Sequence, residues 1–289
     1  MKLSFLVLLT ALSLSAFTQD PLRVLMIFAH PDEGEVYSGG ITALYSQLGH
    51  EVKFLSLTNG DAGHFSMKAE DLAKRRYEEA MKAKEILKLA EYEILDYHDG
   101  NLQNTPEIQQ KVASRITKWE ADVVFTFYPA QGGHNDNMTA GWIVRDAVSL
   151  LTNDELPVFM YIRDFHTSSF SYIPDIAIAI DEVWDLKLAG LGAHVSQVLE
   201  FNPYLMGTFE EVQLSKELQT EYLFNNAYDW SHITPEIMAT LRYWYGEDKA
   251  GKVKYVEAYE VAEYGRQITK EEVWTLFPMI DGIIDSDVP

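Results

Sequence analysis

The chain has 289 residues, 47% hydrophobic and 23% charged, proportions that fit a large folded domain and exclude a disordered, collagen-like or coiled-coil protein. Lys and Arg total 23 against 44 Asp and Glu, a formal charge of −21, which excludes nucleic-acid binding by phosphate neutralisation and disfavours an anionic membrane surface. No cysteine is present, so disulfides, thiolate metal sites, iron–sulfur clusters and cysteine nucleophiles are excluded as well.

Residues 1–18 read as a secretory signal peptide. Lys2 supplies a positive charge, Leu3–Phe17 is apolar but for Ser and Thr, and Gln19-Asp20-Pro21 is polar. The apolar run is short for a bilayer span, so a secreted or periplasmic protein without stable membrane insertion is expected. No later segment is long and apolar enough to span a bilayer.

Strand and helix then alternate. Leu22–Ala29 is an apolar run suited to a strand buried on both faces, and Ser38–Leu48 has helical spacing that ends at Gly49. Glu51–Thr58 alternates as a strand, and a charged helix spans about Ala69–Leu89. Tyr92–Asp96 is a third strand. Thr105-Pro106-Glu107 is a helix start, with Ile108, Val112, Ile116 and Trp119 along one face. Asp122–Tyr128 is a fourth strand, a helix is expected over Thr139–Leu151, and Pro157–Ile162 is a fifth strand. Ile176–Ile180 and a helix through Glu182–Leu199 complete the pattern. This predicts an α/β fold with a mainly parallel sheet covered by helices on both faces.

Beyond Phe201 the chain is rich in aromatics and helical in spacing, and residues 201–289 are expected to form a mostly helical extension packed on a core of residues 19–200. Its rings are expected chiefly to anchor the extension, although their flat faces also suit the C–H faces of sugars.

In parallel sheets ligands bind at the carboxyl ends of the strands, where the polar segments of this chain fall. Ala29-His30-Pro31-Asp32-Glu33-Gly34-Glu35 follows the first strand and joins an imidazole to three carboxylates. That donor set suits a divalent cation, with a spare carboxylate to act as a base. Gly132-Gly133-His134-Asn135-Asp136-Asn137 follows the fourth strand.

In order and spacing these segments resemble the PIG-L/LmbE-like N-acetylglucosaminyl deacetylase family. The resemblance extends through Thr58–His64, Lys74–Ala80, Asp96–Asn101, Pro174–Ile180 and Ala193–Gln197. It implies a Rossmann-like fold and metal-dependent removal of an N-acetyl group from a small-molecule or glycan substrate, with a metal-bound water activated by Asp32. His30, Glu33 and Asn137 then correspond to the metal ligands and His134 to the group that stabilises the oxyanion or assists the leaving amine. Arg76, with Arg75 as the alternative, Asn59, Asp61 and His98 correspond to the substrate-binding side. One divalent ion is implied, zinc by analogy. Asn137 stands where the family has histidine, and an amide oxygen binds zinc more weakly than imidazole, so a harder ion such as calcium or magnesium is the other option, with the nearby acids Asp61, Asp99 and Asp136 as oxygen donors. The alternative reading is a non-hydrolytic, secreted glycan-binding or scaffold protein that kept the fold and lost the full metal site. His64 and His194, the latter with Gln197, are rim candidates. His50, His166 and His232 carry no signal.

Overall fold

The computed structural model describes residues 20–129, 133–153, 155–168 and 170–280. The expected signal peptide and Gly132 lie outside them. In chain order the elements are β1 (Arg23–Phe28), α1 (Glu33–Gln47), β2 (Glu51–Thr58), α2 (Ala69–Leu87), β3 (Glu91–Tyr97), α3 (Pro106–Trp119), β4 (Val123–Thr126), α4 (Asn135–Ala147), β5 (Val158–Ile162) and β6 (Ile176–Ala179). After these come α5 (Trp184–Gly192), a π-helical turn at Ser196–Phe201, α6 (Asn202–Leu205), α7 (Phe209–Val212), α8 (Lys216–Ser231), α9 (Pro235–Ala250), β7 (Val256–Gly265) and α10 (Lys270–Leu276).

All seven strands join one sheet in the order β3-β2-β1-β4-β5-β7-β6. The pairs β1–β2, β1–β4, β2–β3 and β4–β5 are parallel, and Val24 on β1 faces Val52 on β2 and Val123 on β4. Burial of Val24–Phe28 and Val123–Phe125 on both faces accounts for their unbroken apolar sequence. The chain winds one way from β1 to β2 and β3, and the other way to β4 and β5. The crevice between the β1 and β4 ends is therefore the topological switch point, where α/β sheets bind ligands. α4 approaches the end of β4 closely because it carries Gly141, where a Cβ would lie 2.5 Å from the Phe127 carbonyl oxygen.

The α/β architecture is as expected, and the region beyond Phe201 is mostly helical. That region also supplies β7, which lies between β5 and β6 and pairs antiparallel with both. Its strand character is masked in the sequence by Glu257, a buried acid. Glu257 accepts from the backbone amides of Gly40 at 2.9 Å and Ile41 at 2.7 Å, from Lys187 Nζ at 2.6 Å and from the Tyr259 hydroxyl at 3.1 Å. The two amides lie just past a kink in α1, where Ser38 leaves helical geometry (φ −143°). Lys187, fully buried on α5, also donates to the Val36 carbonyl at 2.7 Å.

Three helix boundaries differ from expectation. α1 begins at Glu33 rather than Ser38, and α4 at Asn135 rather than Thr139, with Asp32 and His134 at the N-cap positions. The acids Glu33, Glu35 and Asp136 lie in first turns, where the helix dipole favours negative charge. The helix expected through Leu199 is interrupted after Gly192 and resumes as the π turn.

Candidate metal centre and active site

His30 leaves β1 at the switch point with both ring nitrogens engaged by acids. Glu33 lies on one side: its Oε2 accepts from the His30 backbone amide at 2.8 Å and its Oε1 lies 3.1 Å from Nδ1. On the other side, Nε2 lies 2.9 Å from Asp99 Oδ1 and 3.5 Å from Asp136 Oδ2. All three residues are largely buried, and one donor atom from each falls within 4.8 Å of the others. Nε2 is nonetheless buried without a hydrogen-bond partner, so the Asp99 oxygen is near it but off the N–H direction. Two ligands of one ion about 2.1 Å away from each approach one another in this way. An imidazole nitrogen and two carboxylate oxygens are a fitting donor set for a divalent cation.

The loops that present these acids are hydrogen-bonded together. Asp136 accepts from the Gly100 amide at 2.7 Å and the Leu102 amide at 3.2 Å. Asp61, at the end of β2, accepts from the Asp99 amide at 2.9 Å and pairs with His98 Nδ1 at 2.9 Å. Asn59 donates to Asp96 at 2.7 Å and accepts from the Asp61 amide at 3.2 Å. Asn59, Asp61 and His98, expected on the substrate side, thus knit the β2 and β3 loops together, and His98 alone among them is largely exposed.

Asp32 has φ 135°, a backbone region that non-glycine residues rarely occupy. Its Oδ1 accepts from Arg76 Nη2 at 2.8 Å. Burial pushes its carboxyl up to about 6, with Arg76 opposing, which places it near neutrality as a general base should be. Arg76, expected to contact substrate, is buried beneath these loops. It also donates to the Pro31 carbonyl at 2.8 Å and the Gly60 carbonyl at 3.2 Å, and approaches Asp99 Oδ2 at 3.5 Å. Its guanidinium rests on Gly60 (φ +69°), where a Cβ would come within 2.6 Å. Arg75 turns away and makes a bidentate pair with Glu200 at 2.8 Å to each oxygen.

Burial works against the charge on His30, but Glu33, Asp136 and Asp99 outweigh it and hold the imidazole well above its usual pKa. Asp99 is drawn down to about 2, its desolvation offset by His30 and Arg76. Asp136 is lowered too, its desolvation outweighed by His30 and the Gly100 amide. A bound cation would replace the imidazole proton, because a ligating histidine must be neutral.

His134 is exposed at the N-cap of α4, its ring centroid 5.2 Å from that of His30. Asn137 is buried on the same first turn as Asp136, and neither atom of its amide has a partner, so it remains available as a donor. Of the ligands the resemblance implies, Asn137 lies on the same helical turn as Asp136, and the structure groups His30 with the carboxylate cluster. Glu33 lies across the ring from it, while Asp99 and Asp136 join it. Sequence reading noted both acids only as nearby oxygen donors, because their convergence depends on β3 and β4 flanking β1 and β2. It also missed the buried pair below Asp32, where His194 Nε2 lies 3.3 Å from Glu35 Oε1. Burial lowers the His194 pKa, but Glu35 outweighs it and the net shift is upward.

The sequence pattern of the GlcNAc-PI de-N-acetylase (PIG-L) family matches residues 25–148. The chain is 30% identical over 183 residues to a probable N-acetyl-alpha-D-glucosaminyl L-malate deacetylase 2 of Bacillus cereus, covering 61% of this chain and 83% of that one. It is 29% identical over 202 residues to the diacetylchitobiose deacetylase of Thermococcus kodakarensis, covering 64% and 76%. Among solved structures it is similar to the N,N'-diacetylchitobiose deacetylase of Pyrococcus horikoshii (TM-score 0.61, 18% identity, 84% of each chain). It is equally similar in fold to GalB, the 4-carboxy-2-hydroxymuconate hydratase of Pseudomonas putida (TM-score 0.60, 18% identity, 86% and 99%), so the fold alone does not select a reaction. With the sequence matches beside the fold, the chain belongs to the PIG-L (GlcNAc-PI de-N-acetylase) family.

Proposed function

We propose that this protein is a metal-dependent N-deacetylase that hydrolyses the acetamide of an amino-sugar substrate. The observation that carries this reading is the His30–Asp99–Asp136 cluster, with its unpartnered Nε2, beside a strained Asp32 whose carboxyl burial pushes up to about 6. His30, Asp99 and Asp136 would hold the ion, with Asn137 the next available donor. When bound, the ion supplies Lewis acidity toward the amide carbonyl.

The chain's own residues do the rest. Asp32 takes a proton from the attacking water, which then adds to the amide carbon. Arg76 fixes the Asp32 carboxylate and keeps it from rising further in pKa. Glu33 and the Asp61–Asp99 contacts hold the donors in place before substrate arrives. His134, exposed at the rim, donates to the tetrahedral oxygen or to the departing amine. Acetate and a free amine are the products.

The test combines elemental analysis of the purified protein with acetate release from N-acetylated sugars, before and after chelation. Stoichiometric metal and chelator-sensitive acetate release are expected. Tight glycan binding with no acetate release at any metal loading would favour the non-hydrolytic alternative.

A further inference from the structure

The end of α8 brings an aromatic side chain to the rim of this site from outside the matched family segment. Trp230 packs edge-to-face on Tyr37 of α1, with centroids 5.1 Å apart, and on Phe165, which follows β5, at 5.0 Å. Tyr37 is one turn along the helix from Glu33. Tyr37 also packs edge-to-face on Phe127, directly after β4, with centroids 5.7 Å apart, so these rings stand against the loops that carry the candidate site. The β5 loop also borders the β4 loop: a Cβ on Gly133, beside His134, would lie 3.6 Å from Asp164 Oδ2.

The placement is braced. Arg163 donates to the His232 carbonyl at 2.8 Å and lies 3.1 Å from His232 Nε2, tying the end of α8 to the start of the β5 loop. β5 is parallel to β4, so this loop leaves the sheet on the same rim as His30 and His134. Trp230 is only partly buried and Phe165 is 45% exposed. Leaving a phenylalanine half in water forgoes part of the roughly 1.5–3 kcal/mol that full burial would contribute. A partly exposed aromatic pair at the edge of a polar site offers flat apolar surface to a ligand already held beside it.

We propose that Trp230 and Phe165 form a second sugar subsite, which stacks the pyranose ring next to the N-acetylated unit whose acetamide is cleaved. This rests on the amino-sugar reading and makes an oligosaccharide the preferred substrate. A pyranose has one polar edge and C–H faces, which suit an aromatic surface bordering a cluster of carboxylates.

The experiment compares acetate release by the metal-loaded protein from N-acetylglucosamine and from its β-1,4-linked N-acetylated disaccharide. Wild type is expected to favour the disaccharide in kcat/KM. Trp230→Ala and Phe165→Ala should each lower kcat/KM for the disaccharide about tenfold, the scale of one lost ring contact, and leave the monosaccharide within about twofold. Trp230→Phe should restore most of the loss. Phe165 is exposed enough that its replacement tests the subsite even if Trp230→Ala fails to fold. Equal losses on both sugars, or none, would overturn the subsite. Calorimetric titration of Asp32→Asn with the disaccharide separates the two claims. Binding weakened by Phe165→Ala but no acetate release by wild type would overturn the deacetylase reading and keep the subsite. Binding that Phe165→Ala leaves unchanged would overturn the subsite.

Discussion

Glu33 grips His30 twice, through the backbone amide at 2.8 Å and through Nδ1 at 3.1 Å. That grip fixes the imidazole with Nε2 toward Asp99 and Asp136. On the proposed reading Glu33 orients a ligand, whereas the two aspartates would supply donor atoms. Asp99→Asn and Asp136→Asn should each abolish stoichiometric metal binding. Glu33→Gln should weaken it only by about 10- to 100-fold, the usual effect of losing a partner that orients a ligand. Competition with a chromogenic chelator measures both. A greater loss in Glu33→Gln than in either aspartate variant would move the ion to the Nδ1 side of the ring.

Asp32 should behave as a base with an acid limb. Its carboxyl must be ionised to accept a proton, so kcat/KM falls as pH drops through a value no higher than about 6. Asp32→Asn should cost about 10²- to 10⁴-fold in kcat with metal content intact. Asparagine matches aspartate in size and shape, so the backbone at this position should survive the change. A pH–rate profile and metal analysis on the same preparation check both statements.

Arg76 makes a sharper test, because it binds no substrate in this account. Arg76→Gln removes the charge that holds Asp32 down, so the acid limb should move to higher pH. It also leaves two buried carboxylates without their cation, which should destabilise the fold by about 3–5 kcal/mol. Chemical denaturation reads the second effect and the pH profile the first. An unchanged limb in a folded variant would detach Arg76 from Asp32.

His30, Asp32 and His134 were legible in the sequence because each lies in a short polar segment next to an apolar strand, and parallel sheets place such segments on one rim. The strand–helix alternation was legible for the same reason. Asp99 and Asp136 were legible only as nearby oxygen donors, because their convergence on His30 depends on which strands flank β1 and on which way Glu33 turns, neither of which is local. Arg76 was legible as a member of the site and was expected on the substrate side, whereas the structure buries it under the loops. β7 was hidden because a buried acid, Glu257, interrupts one face and small Ala258 and Ala262 lie on the other, so the alternation lacks the usual apolar weight. Trp230 could be noted only as one ring among many until α8 was seen to end beside Tyr37.

The Lys187–Glu257 pair is fully buried, and breaking it from one side should be expensive. Lys187→Met should lower stability by about 3–5 kcal/mol, since it strands a buried carboxylate that still faces two backbone amides. Replacing both partners with apolar residues should recover part of that loss in the ion pair, less the cost of orphaning the Gly40 and Ile41 amides. Thermal melts of the single and double variants give the coupling directly.

β6 has no neighbour in the sheet other than β7, which is made some 75 residues later in synthesis. A nascent chain that has passed β6 holds an unpaired edge until β7 has emerged. It also lacks the carboxylate that ties off the kinked helix behind Asp32. Completion of the sheet that backs the candidate site therefore waits on a strand made much later, and a chain stopped before Val256 would carry every candidate catalytic side chain yet no finished scaffold to aim them.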